Sequence, residues 1–307
     1  MQKNITTKLC GLSLSSPLVL ASGIMGLSAS SLKRIADAGA GAVTSKSFSS
    51  EERKGHPCPA VLPFEHGYLN AVGLSNPGIE DMIFEVTEFK KRSAVPLIAS
   101  IFGKSPEEFG SVTEKTAQAK PNLIEVNVSC PNVASEFGKP FVVDLRELEA
   151  VTKTVKRFSG EIPVSVKLSL QCPSITEAAK CCEQSGANAI TAINTVGPGM
   201  LIDVNTHRPI LSNLSGGMSG PAIFPLTVKA VYDIYESVKL PIIATGGVTS
   251  TEDALQLIMA GATAVGIGSG IHIRGINIFS QINCELAKFI QSLGIKNLEE
   301  LRGSAHG

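Results

Sequence analysis

The segment Pro241-Ile-Ile-Ala-Thr-Gly-Gly-Val-Thr-Ser-Thr-Glu-Asp-Ala-Leu-Gln-Leu-Ile-Met-Ala-Gly-Ala-Thr-Ala-Val-Gly-Ile-Gly-Ser269 decides the fold. Ile242–Gly247 and Ala264–Ser269 are short, uncharged apolar runs. Between them Thr249-Ser-Thr-Glu252 has the pattern of a capping box, and Ala254, Leu257, Ile258 and Gly261 fall on one helical face. Strand, helix, strand is the reading. Outward from it the same unit recurs, with apolar runs at Leu18–Ser22, Ala42–Phe48, Leu97–Phe102, Leu123–Ser129, Val164–Ser169 and Ala189–Thr195. Only Lys46, Glu125 and Lys167 bring charge into them, which suits parallel strands covered on both faces. Ser105-Pro-Glu-Glu108 and Ser174-Ile-Thr-Glu177 repeat the helix-start pattern. Strand followed by helix about eight times predicts an α/β fold, a closed (β/α)8 TIM barrel, with an open doubly wound sheet as the alternative.

Two connections exceed what a plain loop needs, Ser49 to Gly78 and Thr195 to Pro221. Both follow strands, which puts both on the barrel's C-terminal face, where barrel active sites are built. Around Glu65-His66-Gly67 the first reads as a hairpin of Ala60–Phe64 and Tyr68–Ala71. No linker or internal repeat beyond the unit itself interrupts the chain, so residues 1–307 are expected to form a single domain.

With 27 Lys+Arg against 27 Asp+Glu the net charge is zero, which leaves no electrostatic footprint for nucleic acid. A 43% hydrophobic content and mean hydropathy of +0.20 exclude a disordered chain. Seven cysteines, an odd number with no CxxC spacing, suggest neither disulfides nor a zinc ribbon, and a reducing, cytoplasmic setting is expected. Cys181 and Cys182 sit in the helical stretch Ser174 to Ser185. Cys10 to Gly23 loosely imitates a signal peptide, but four serines and Pro17 interrupt it, and two short strands leading into a buried strand fit better. The charge-free stretch Pro209 to Val228 is too rich in Pro, Gly and Ser for a membrane span.

Four features carry chemistry. Gly246-Gly247 and Gly268-Ser269 end the last two strands, where glycines let backbone N–H groups approach a phosphate and a helix start favours the anion. Cys130, in Asn127-Val-Ser-Cys-Pro-Asn132, stands at a strand's C-terminal end and is a candidate base or nucleophile. Residues 133–141 after it read as a lid. Lys46 and Lys167 each put a cation in a barrel strand, to be matched either by Glu125 or by an anionic ligand. His56, His66, His207 and His272 show no metal-ligand spacing, and no metal site is expected.

The set Ala21-Ser-Gly23, Lys46-Ser47, Asn70-Ala-Val-Gly-Leu74, Asn127-Val-Ser-Cys-Pro-Asn132, Asn194-Thr195, Gly216-Gly-Met-Ser-Gly220, Gly246-Gly247 and Gly268-Ser269 resembles the class 1 dihydroorotate dehydrogenases, in order and along the whole chain. Asn70–Gly78 and Gly216–Ala222 are most similar to the NAD-linked branch. The resemblance implies FMN held by Ser22, Lys46, Ser47, Asn127, Lys167, Ile193, Gly220, Gly246, Gly247, Gly268 and Ser269. It also implies a flavin contact from Ser100, where the family usually has asparagine and this chain a shorter group with one polar atom. Dihydroorotate would be held by Lys46, by Asn70, Ala71, Val72, Gly73 and Leu74, and by Asn127, Asn132, Asn194 and Thr195, with Cys130 as catalytic base. The implied reaction is oxidation of dihydroorotate to orotate in pyrimidine biosynthesis, the C6 hydride passing to flavin N5. The implied assembly is a homodimer core, extended to a heterotetramer by a subunit carrying FAD and a 2Fe–2S cluster. Alternatives are an FMN barrel similar to dihydropyrimidine dehydrogenase, a flavin-free phosphate-binding isomerase or lyase, and a non-enzymatic ligand-sensing or scaffold barrel.

Overall fold

The computed structural model describes residues 3–129 and 140–307. Eight parallel strands close into a barrel: β1 (Leu18–Leu20), β2 (Ala42–Thr44), β3 (Leu97–Ile101), β4 (Leu123–Asn127), β5 (Val164–Leu168), β6 (Ala189–Ala192), β7 (Ile242–Thr245) and β8 (Ala264–Ile267). Each pairs with its sequence neighbours and β8 pairs with β1, so no edge strand is left exposed. The outer layer is α1 (Ala29–Asp37), α2 (Ile79–Arg92), α3 (Pro106–Gln118), α4 (Leu145–Phe158), α5 (Ile175–Gln184), α6 (Phe224–Ser237), α7 (Thr251–Met259) and α8 (Ile278–Leu293). One cluster of buried apolar side chains runs from Ile5 to Leu301 and fills the space between strands and helices. The (β/α)8 reading therefore holds, and the open sheet does not. None of the described helices is long and apolar enough to cross a membrane.

The apolar runs overshoot the hydrogen-bonded strands at their C-terminal ends. Ala42–Phe48, for example, contributes only Ala42–Thr44 to the ladder. After β1, β2, β6, β7 and β8, surplus residues reach the barrel mouth and line the site. Helix starts follow the sequence with shifts. Ser105, Ser174 and Ser250 cap α3, α5 and α7, each accepting from the backbone N–H three residues on. The box at α7 is one residue later than the sequence pattern suggests, with Ser250 reciprocated by Asp253, not Thr249 by Glu252. At α3 the Glu108 carboxylate takes the Lys104 N–H at 2.8 Å and does not return to the cap.

At the barrel's other end, strands Thr7–Leu9 and Leu12–Leu14 form an antiparallel hairpin. Its Leu9 and Leu14 pack with Val19, Ile98, Leu123 and Ile243 and close the bottom of the barrel. At the C-terminal end the two long insertions meet. The hairpin of Val61–Phe64 and Gly67–Asn70, from the connection after β2, joins Gly216–Ser219 and Val196–Gly199, from the connection after β6, in one four-stranded antiparallel sheet. The sequence indicated the hairpin, not the pairing between insertions. That sheet roofs the barrel mouth.

Candidate active site

A cavity of about 580 Å³ opens at the C-terminal mouth, within the size range of small-molecule and cofactor sites. Every barrel strand except β3 brings residues to it. Ser22 follows β1, Lys46 and Ser47 follow β2, Asn127 ends β4, Lys167 lies in β5, and Ile193, Asn194 and Thr195 follow β6. Asn70, Val72, Gly73 and Leu74 come down from the roof, and Gly246, Gly247, Gly268 and Ser269 form the end beyond β7 and β8. Charge is costly in such a place unless it is matched. Lys167, 5% exposed, donates from Nζ to Ser22 Oγ at 3.0 Å and does not pair with Glu125, which bonds to Ser100.

The amides are held from behind. Asn70 Nδ2 donates to the Gly217 carbonyl at 3.2 Å, which ties the two insertions together beside the ligand space. Asn127 Nδ2 donates to Ser47 Oγ at 3.3 Å. Asn194 Nδ2 donates to Ser129 Oγ at 3.0 Å, and its Oδ1 accepts the Thr195 N–H at 2.9 Å. Asparagine presents both a donor and an acceptor, so a pocket with three of them suits a ring dense in amide and carbonyl groups.

The glycine end shows why side chains are missing there. A Cβ on Gly247, at φ +84°, would stand 2.7 Å from Phe224 Cβ, so this backbone is packed from behind. A Cβ on Gly268 would meet nothing closer than Ala21 Cβ at 3.6 Å, so that strand end faces open space. A carboxylate already stands at the start of α7, where Asp253 accepts the N–H groups of Thr249 and Ser250. An anion at this end would therefore meet the backbone of the glycines and not the α7 dipole. The short helix Gly270–Arg274 is entered from Ser269 without a side-chain cap, and its Ile271 and His272 N–H groups donate to the Gly268 and Ser269 carbonyls at 3.0 Å.

Three expected contacts are placed elsewhere. Ser100 is fully buried and does not line the cavity; its hydroxyl lies 2.9 Å from Glu125 Oε1 and 2.8 Å from Ser47 Oγ. Ala71, also fully buried, has its N–H bonded to the Ala60 carbonyl within the roof. Gly220 adjoins the lining residue Ser219 but is not itself at the surface of the cavity. Cys130, Asn132 and nearly all of the expected lid, 133–139, lie outside the described residues. Of the other thiols, burial pushes Cys10 and Cys172 up to about 11, and Cys181 and Cys182 upward as well. None of those four is poised to ionise near neutrality. The sequence reading missed Ile24, Val61, Tyr68, Ile223 and His272 at the cavity wall. Tyr68 and His272 rings meet at 5.5 Å across the mouth, a contact between distant segments that no local pattern announces.

The family model for dihydroorotate dehydrogenase matches residues 4–290. The chain belongs to the dihydroorotate dehydrogenase family. It is 42% identical to a Methanothermobacter thermautotrophicus protein over 98% of each chain. It is 43% identical to one from Methanosarcina acetivorans over 97% of this chain and 95% of the relative. An Exiguobacterium sibiricum protein is 40% identical, again over 97% and 95%. All three are named the catalytic subunit of dihydroorotate dehydrogenase B (NAD(+)). The resemblance read from the motifs is thus the chain's own family and branch.

Dihydroorotate dehydrogenases are flavin-dependent, and the cavity fits such a group on its own geometry. Gly268 leaves room where a side chain would otherwise fill the end of the cavity. Lys167 brings a buried cation, and Ser22, Ser47 and Asn127 add neutral hydrogen-bonding groups along the same wall.

Proposed function

We propose that this protein is the FMN-containing catalytic subunit of a dihydroorotate dehydrogenase, with residues 1–307 acting as one cytoplasmic catalytic domain. The observation that supports this most is the convergence of Lys46, Asn70, Asn127 and Asn194 on one cavity whose far end is lined by Gly246, Gly247 and Gly268. Gly246, Gly247, Gly268 and Ser269 would take the FMN phosphate, and Ser22, Lys46, Ser47, Asn127, Lys167 and Ile193 the rest of the cofactor. Bound FMN supplies the acceptor for the hydride that leaves C6 of dihydroorotate. Lys46 offsets the substrate carboxylate, while Asn70, Asn127 and Asn194 fix the ring by donating to its carbonyls and accepting from its N–H groups. Loss of the C5 proton to Cys130 and of the C6 hydride forms the C5–C6 double bond of orotate. The Cys130 role, like that of Asn132, rests on the sequence motif alone.

Anaerobic addition of dihydroorotate to the purified protein should bleach a visible flavin spectrum, and dihydrouracil should not. A colourless protein, or bleaching by dihydrouracil alone, would count against the reading; the second result favours a dihydropyrimidine dehydrogenase-like activity. An uncharged pyrimidine gives Lys46 no carboxylate to offset, which is why dihydroorotate is preferred here.

The names of the relatives imply a further subunit. The motif branch points to one carrying FAD and a 2Fe–2S cluster, joined to a homodimer of this chain. Within the described residues no group of three or more His, Cys, Asp or Glu is gathered to hold a metal. The isolated chain is accordingly expected to reduce artificial acceptors and to use NAD poorly. Rapid NAD reduction by the homogeneous chain would refute this.

A further inference from the structure

Inside the barrel, behind the cavity floor, lies a carboxylate that the reaction above does not use. Glu125 of β4 is 3% exposed. A buried carboxylate is costly unless hydrogen-bonded, and Glu125 Oε1 accepts the Ser100 hydroxyl at 2.9 Å. Because a carboxylate only accepts, this end fixes the direction of everything attached to it. Ser100 has a single hydroxyl hydrogen, and Glu125 takes it. Ser47 Oγ, 2.8 Å from Ser100 Oγ, must then be the donor of that pair. With its own hydrogen used, Ser47 can only accept from Asn127, whose Nδ2 lies 3.3 Å away. The chain therefore runs Asn127 N–H to Ser47 O–H to Ser100 O–H to Glu125.

The consequence reaches the cavity. Asn127 is held with Nδ2 toward Ser47, so its Oδ1 turns to the Ser129 N–H at 3.4 Å and the Asn194 amide at 3.5 Å. Its second Nδ2 hydrogen is left over. A parallel chain, from Asn194 Nδ2 to Ser129 Oγ to the Lys167 carbonyl, ends on another acceptor and fixes the second amide in the same way. Glu125, Ser100 and Ser129 do not line the cavity, whereas Ser47, Asn127 and Asn194 do.

We propose that Glu125 is a positioning residue which, through Ser100 and Ser47, holds the Asn127 amide so that it offers the cavity an N–H donor, selecting ligands with an anionic or carbonyl oxygen at that point. The proposal deepens the dihydroorotate dehydrogenase reading and rests on it. Without an acceptor at position 125, Ser100 and Ser47 can reverse, and the Asn127 amide can turn over.

The test is orotate binding to the flavin-loaded protein, followed by the visible spectrum, alongside dihydroorotate kinetics. Glu125→Leu and Ser100→Ala should each weaken orotate binding and raise KM about tenfold, the loss of roughly one hydrogen bond. Because this interaction holds substrate and transition state alike, kcat per bound flavin should change little. Glu125→Gln keeps an acceptor oxygen in place and should restore both values to nearly those of the natural protein. Ser100→Ala decides the matter if Glu125→Leu does not fold. Orotate binding unchanged in Ser100→Ala, or a Glu125→Gln protein as impaired as Glu125→Leu, would overturn the relay. Natural protein that binds no orotate would overturn the functional reading and the relay together.

Discussion

Cys130→Ser is expected to slow flavin reduction by dihydroorotate about 10²- to 10⁴-fold, the usual contribution of a positioned acid–base group, while leaving the cofactor bound. A thiol has an ordinary pKa near 8.5, and an alcohol ionises far less readily. The substitution therefore removes the proposed base without removing much volume. No cofactor contact is assigned to that side chain, so flavin content should not change. The residual rate should climb with pH into the alkaline range, because the weaker base then needs help from solution. Asn132→Ala should instead weaken substrate binding and leave the shape of the pH profile nearly intact. Single-turnover bleaching under anaerobic conditions, repeated across pH, separates the two. An unchanged rate and profile in Cys130→Ser would remove Cys130 from the mechanism. The buried thiols cannot stand in for it, since burial holds Cys10 and Cys172 at about 11.

The barrel was legible because strands buried on both faces read as apolar runs nearly free of charge, and all eight were marked in that way. The strand ends were not legible. Ala42–Phe48 reads as one run although the ladder stops at Thr44, because Ser45, Ser47 and Phe48 stay buried after leaving it. Lys46 and Lys167 were found because a charge inside an apolar run contradicts its surroundings. Tyr68 and His272 were not, since an aromatic and a histidine on separate loops contradict nothing locally.

Ser100 shows a different limit. Its place in the chain suggested a flavin contact, but the neighbouring strand puts Glu125 directly beside it in register. Once the barrel closes, the nearer carboxylate takes the hydroxyl. Glu125 was considered in the sequence only as a partner for the lysines, because sign of charge is visible in a sequence and cross-strand register is not. The roof was hidden for the same reason: Asn70 and Gly217 lie far apart in sequence and become neighbours only in the antiparallel sheet.

Gly268→Asp is expected to give folded protein largely devoid of flavin. The sequence offers Gly247 as readily, yet a side chain there would sit 2.7 Å from Phe224 Cβ and 2.9 Å from the Gly220 carbonyl, on a backbone with φ +84°. Loss of flavin from a Gly247 variant would then report a damaged loop as readily as a repelled phosphate. Gly268 separates these effects. Its φ is outside the left-handed range, and the nearest atoms to a built Cβ are Ala21 Cβ at 3.6 Å and Ile24 Cγ1 at 3.9 Å, ordinary contacts. An aspartate can be accommodated by the backbone, and its carboxylate then shares the end of the cavity with the proposed phosphate. Two like charges about 4 Å apart near a protein surface repel by roughly 1–4 kcal/mol, enough to weaken binding about fivefold to a thousandfold. Gly268→Asn has nearly the same shape without the charge and should keep a much larger share of the cofactor. The measurement is the flavin-to-protein ratio of the two purified variants, with circular dichroism and thermal unfolding to verify that both are folded. If Gly268→Asp retains full flavin, the phosphate does not bind at this end of the barrel.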